Sequence, residues 1–209
     1  MKGMIRKEIC VILNNRKFLL VSLCIYLIYS VMLDNMSFFL PFMASMLSIS
    51  SFSYDEYNNW QTYASSLPQG RLSIVRAKYV VAVGSVIIAS LIGMILSYVV
   101  TALKGSGPAF EEQLSSLFGV VMAITFMLSI LFPIIFRYGA EKGRLAMVVM
   151  ALGFAAVIMV LSRFVSPDVS PSVIAFMERY LPVIFSVICV VSLVISYLVS
   201  KKIYLNKEF

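Results

Sequence analysis

Apolar positions along the chain fall into six charge-free runs, 18–33, 36–52, 79–103, 114–136, 145–162 and 181–200, with polar residues confined to the segments between them. A hydrocarbon core about 30 Å thick takes roughly 20 apolar residues per spanning helix. The pattern therefore predicts an all-α integral membrane protein of six transmembrane helices in a single membrane domain over 1–209. The first run has 16 residues and rises about 24 Å at ~1.5 Å per residue, so it borrows length from its flanks, where Arg16 and Lys17 can snorkel. Only Asp34 and Asn35 part the first two runs. One helix through both would exceed any bilayer, so a tight helical hairpin is expected, with its tip at the outer face.

Composition agrees: 61% of residues are hydrophobic and 13% charged, against about 25% charged in a soluble domain. Lys and Arg number 17 and Asp and Glu 10. With both termini cytoplasmic, every basic residue but Lys104, Arg163 and Arg179 falls on the inner side, as the positive-inside rule requires. The basic amino terminus precedes an apolar run, yet no A-x-A site follows, so the segment is read as retained. There is no His, and Cys10, Cys24 and Cys189 lie far apart, which excludes a Cys/His metal site and a His-based triad and disfavours a disulfide framework. No ionisable residue lies inside any run, so no proton relay is visible. "YGAEKGR" at 138–144 lacks the spacing and the Ser/Thr of a phosphate-binding P-loop. The chain is expected not to be an enzyme, to hold no cofactor or metal, and to take its energy from another polypeptide.

Spanning helices associate through small-residue faces. Ser85, Ala89, Gly93 and Ser97 form such a face on the third span, and Ser115, Gly119 and Ala123 on the fourth, for contacts within the subunit or between two copies; such stripes also arise by chance. Pro133 is expected to kink or end the fourth span.

The polar stretch at 53–80 stands apart. Ser53 and Glu56 have capping-box spacing. Tyr57, Trp60, Ala64 and Leu67 then recur at three and four, with Tyr63 beside them, until Pro68, Gln69 and Gly70 end the element. A short amphipathic helix along the inner membrane face is predicted, followed by a further helical turn bearing Arg71, Arg76 and Lys78. The alternative is an interfacial loop with its aromatics among headgroups. Residues 1–15 place Ile5, Ile9, Ile12 and Leu13 opposite Arg6, Lys7 and Asn14, as in an interfacial helix drawn to anionic lipid. Outside, 162–182 predicts a short helix on the outer leaflet, and "KGSGPAFEEQ" a turn with an acidic start to the next helix.

The run Asp55-Glu56, Trp60, Tyr63, Ser66-Leu67-Pro68, Arg71, Ile74-Val75, Lys78-Tyr79 resembles the loop between the second and third spans of ABC-2 type permeases. More narrowly, it resembles the small bacterial subfamily of the phenol-soluble modulin exporter permeases. The resemblance implies that 55–67 is a coupling helix seated in a separate ATP-binding subunit. Asp55 and Glu56 would offer charge pairs, Trp60 and Tyr63 would fill a socket, and Tyr57, Leu67 and Arg71 would join the contact. It implies that 1–15 is an elbow helix, that the outer segment at 162–182 helps form the exit gate, and that the loop at 137–144 touches the ATPase secondarily. Unlike many relatives, this chain has no outer segment long enough for a domain.

The function expected is the permease subunit of an ATP-binding cassette exporter in the bacterial plasma membrane. It would homodimerise and pair with two copies of an ATPase that holds ATP and Mg, with no nucleic-acid partner. The uncharged spans suit an apolar or amphipathic cargo, such as peptides. A gradient-driven secondary transporter and a non-transporting immunity or assembly protein are the alternatives.

Overall fold

The computed structural model describes residues 2–32, 38–65, 70–105, 110–164 and 171–206. Eight helices follow in order: α1 (Lys2–Asn14), α2 (Arg16–Met32), α3 (Phe39–Tyr57), α4 (Trp60–Ser65), α5 (Gly70–Lys104), α6 (Phe110–Tyr138), α7 (Ala140–Phe164) and α8 (Pro171–Leu205), with no strand among the described residues. By length and composition, Arg71–Lys104, Phe110–Tyr138 and Tyr180–Leu205 are able to cross a membrane, and α1 with α2, bent by 60° at their junction, would make a fourth. These carry the third, fourth and sixth apolar runs; the others lie on α2, α3 and α7. α2 has 17 residues, and α3 carries five serines and ends on Asp55-Glu56-Tyr57.

The bundle is held at one end by an aromatic core. Phe52 of α3 meets Phe132 and Phe136 of α6 edge-on, with centroids 5.3 and 5.0 Å away. Tyr79 of α5 stacks edge-on with Phe132 at 4.8 Å, and Tyr204 of α8 meets Phe136 at 5.5 Å. Tyr79 also shares its hydroxyl with Ser196 at 2.6 Å and Ser200 at 2.8 Å. Large apolar side chains on the outer faces, such as Val148, Leu152 and Val183, are exposed, which suits a bundle solvated by lipid.

The small face of α5 packs inside the subunit. Ser85 bonds Ser48 of α3 at 3.1 Å, Leu40 lies against Gly93, and Tyr26 of α2 donates to the Gly93 carbonyl at 2.9 Å. On α6 the small face at Ser115, Gly119 and Ala123 is exposed instead. The buried side of that helix is Ile124, Leu128 and Phe132.

Three local expectations change in whole or part. Pro133 does not end the fourth span but lies inside α6, which continues to Tyr138. Arg71, Arg76 and Lys78 begin no separate turn but belong to the 35-residue α5. Pro171 opens α8, which runs unbroken to Leu205, so the expected short outer helix is part of the last long one; Pro at a first helical position sacrifices no hydrogen bond. The hairpin tip at Asp34-Asn35 lies outside the described residues, while the acidic start of α6 is present as Glu111 and Glu112.

Gly139 alone joins α6 to α7, with φ +90, a conformation that glycine adopts without penalty; its N–H bonds the Ile135 carbonyl at 2.8 Å. One turn on, a Cβ at Gly143 would lie 2.3 Å from Ile135 Cγ1, so the two helices close onto a bare backbone. Gly143→Ala should lower the thermal midpoint of the detergent-purified protein by an amount matching about 1–3 kcal/mol of overpacking, and adding Ile135→Ala should recover at least half of that loss.

Candidate functional site: the basic end of the bundle

The segments expected on the inner side meet at one end. α1 packs across α3 and α5 there, and Arg71 of α5 donates to the Leu205 carbonyl at the end of α8, 3.0 Å away. Arg76 donates to the Tyr197 hydroxyl at 3.0 Å.

Four charges meet at this end, three of them buried and Lys7 at the edge. Lys78 of α5, 4% exposed, donates to Asp55 of α3 at 2.6 Å and to Glu8 of α1 at 3.0 Å. Lys7 also pairs with Asp55, and reaches Glu8 at 2.9 Å. Ser51 accepts from Lys78 at 2.7 Å and donates to Glu8, and the Lys78 ammonium stands 4.4 Å from the Phe52 ring centre. Two cations and two anions in mutual contact make a neutral cluster, which is how buried charge is tolerated at low dielectric. Burial alone would push the Glu8 carboxyl upward; the Lys78 ammonium, the Ser51 hydroxyl and Lys7 outweigh it and hold Glu8 below the usual carboxylate range.

Asp55 therefore points inward, at 2% exposure, and not toward a partner. Glu56 also turns back: both its carboxylate oxygens accept from the Ala140 N–H, at 3.0 and 3.1 Å. It caps α7, where the unpaired N–H groups and the helix dipole favour an anion. A Cβ at Gly139 would sit 2.7 Å from Glu56 Oε1, so a side chain there would shift the cap as well as strain the backbone.

The expected capping box does not form. α3 is already helical at Ser53, whose hydroxyl accepts from Arg144 at 3.0 Å. Nor is 55–67 one helix of three turns. α3 stops at Tyr57, Asn59 takes φ 48, and α4 is a separate element of six residues. The break divides the expected aromatic face. Ala64 is fully buried and Trp60 is packed against the core, with the Lys7 ammonium 5.2 Å from its ring centre. Tyr57, 87% exposed, and Tyr63, 60% exposed, face outward. Leu67 lies outside the described residues.

Sequence reasoning assigned Lys7, Glu8 and Lys78 no joint role. The signal available was Glu8 itself, an acid between Ile5 and Ile12 on the face that α1 buries. Cys10, Cys24 and Cys189 are free thiols. No group of three His, Cys, Asp or Glu among the described residues could hold a metal ion.

Removing Lys78 leaves two acids to share the one remaining cation, Lys7, so Lys78→Met should cost about 3–5 kcal/mol of stability. Adding Glu8→Gln should restore neutrality and give a double variant about 1–3 kcal/mol better than the sum of the single losses, read from chemical unfolding in detergent. Because the Glu8 pKa is depressed by folding, its contribution is full above the usual carboxylate range and is lost as pH falls through its lowered value. The gap in thermal midpoint between wild type and Glu8→Gln should accordingly narrow below about pH 4.

Residues 3–205 match the model of a family described as ABC-2 family transporter protein. No curated protein and no solved structure matches the chain.

Proposed function

The chain belongs to the ABC-2 family of transporter proteins, and from that membership we propose that it is the membrane permease subunit of an ATP-binding cassette exporter. In this reading α2, α3, α5, α6, α7 and α8 are the six spans. The basic end, with both termini, faces the cytoplasm of a bacterial cell. Two copies pair with two ATP-binding subunits, which hold the ATP and Mg. The cargo is apolar or amphipathic, and peptides of the phenol-soluble modulin kind fit spans that carry no ionisable side chain in their apolar runs.

One observation carries the coupling role. α4 presents Tyr63 outward while Ala64, the next residue, is fully buried in the core. A partner pressing on the exposed aromatics therefore presses directly on the core between α3 and α5, and through Trp60 on Lys7 of α1. The docking surface is narrower than a continuous 55–67 helix would offer. Tyr57, Tyr63 and the neighbouring exposed Asn58 and Thr62 face outward, whereas Asp55 and Glu56 are engaged within the subunit and set the angle at which α4 leaves α3. Arg71, bonded to the end of α8, has the same internal role.

The test is co-purification of the tagged chain with an ATP-binding subunit encoded beside it. Wild type should retain the ATPase. Tyr57→Ala with Tyr63→Ala should lower retention about tenfold or more, the range expected when exposed aromatic anchors are removed, with no change in the thermal midpoint of the chain alone. Export from inverted vesicles should continue when the proton gradient is collapsed and ATP is kept. Uphill transport by the chain alone, without any ATPase, would sink the proposal.

A further inference from the structure

Beside the ion cluster, a cleft of about 450 Å³ opens between the α1–α2 junction, the last turns of α3 and the first turn of α7. Its lining includes Asn15, Phe18, Leu47, Ser53, Tyr54 and Arg144. The wall is mainly apolar, and Arg144 is the one charged residue in it. Arg144 gives one N–H to Ser53 and, among the described residues, forms no ion pair; Glu141, three residues earlier on α7, forms none either. A guanidinium has five N–H donors in a planar fork suited to phosphate oxygens, so most of the donors on Arg144 remain for a ligand. The exposed Arg16 and Lys17 flank the rim in sequence.

The apolar side of the cleft continues along the bundle. α2 presents apolar side chains on every face except that of Ser22, Tyr26 and Ser30; of these, Phe18, Val21, Ile25 and Ile28 recur at three and four in line with the cleft. The stripe starts at the cleft and runs toward the far end of α2, which is the track an acyl chain needs. A small soluble anion would use the cation and leave the apolar track bare.

We propose that this cleft seats one anionic phospholipid from the leaflet at the basic end, with its phosphate on Arg144 and an acyl chain over Leu47, Phe18 and the α2 stripe. The cleft shares Tyr57 with the surface proposed to dock an ATPase, but Phe18 and Arg144 belong to the cleft alone, so lipid lost in their variants with the ATPase still retained separates the two sites. Its occupant would fill the space between α2 and α7 on either side of α3, and would add to the Glu56 cap and the Arg144–Ser53 bond that already hold α7 to α3.

The experiment is native mass spectrometry of the full-length chain purified in mild detergent, titrated with phosphatidylglycerol or phosphatidylcholine of the same chain length. Wild type should retain one phosphatidylglycerol about tenfold more strongly than phosphatidylcholine, whose phosphate can meet Arg144 equally but whose choline ammonium cancels the net charge and is repelled by the guanidinium. Arg144→Gln should abolish that preference, while Lys142→Gln, an equal loss of charge on the same helix, should leave it intact. Phe18→Ser, which removes the ring from the acyl track without placing a charge in the span, should weaken it. Inorganic phosphate in large excess should not compete. The proposal is overturned if Arg144→Gln retains phosphatidylglycerol as wild type does, if Lys142→Gln weakens it equally, or if inorganic phosphate displaces it. Retention that appears only when the chain is monomeric would likewise overturn it, because a second copy would then be covering the stripe.

Discussion

Two ammonium groups and two carboxylates in mutual contact, all but Lys7 buried, constrain everything at the basic end of this bundle. Each of these charges alone would cost several kcal/mol to bury; together, with Ser51 accepting from Lys78 and donating to Glu8, they satisfy one another. Because Glu8 comes from α1, Asp55 from α3 and Lys78 from α5, the cluster has a low energy in only one relative placement of three helices. Apolar packing is tolerant of small slides, since lipid solvates a leucine about as well as a neighbouring helix does. A four-charge cluster is not. The aromatic core beneath it then fills against helices whose positions are already set, with Phe52 shared between the two: its ring meets the Lys78 ammonium on one side and Phe132 and Phe136 on the other.

The same cluster explains how a six-residue helix is held firmly. α4 is far too short to be stable by its own hydrogen bonds. It is held by the burial of Ala64, by Trp60 against the core, and by Lys7, which stands over Trp60 while it pairs with Asp55. The amino-terminal helix, which hydropathy marks only as an interfacial anchor, is thereby part of the frame on which α4 rests.

Much of this was legible in the sequence. The runs at 79–103, 114–136 and 181–200 lie within α5, α6 and α8, because twenty charge-free residues leave a backbone in lipid few alternatives to helix. The gathering of basic segments at one end follows from the same pattern. The stretch at 53–67 was legible in kind but not in detail. Its period of three to four is real, yet Asn58-Asn59 interrupts it, and asparagine is among the few residues that reach positive φ at low cost. The Ser53/Glu56 spacing suggested a helix start because a linear reading cannot see that α3 arrives there already helical, or that the exposed end of α7 lies in front of Glu56. Glu8, Asp55 and Lys78 are 47 and 23 residues apart along the chain, and nothing local announces that they meet.

Gly139 has a mechanical corollary. A junction of one residue has no slack, so α6 and α7 cannot shear past each other along their lengths, and the Glu56 cap on α7 ties that same vertex to α3. The two rods are left with the freedom of a pair of tongs: joined at the basic end, they can part only by splaying at the opposite one. Any movement that widens the gap between them must be greatest at the face farthest from α4.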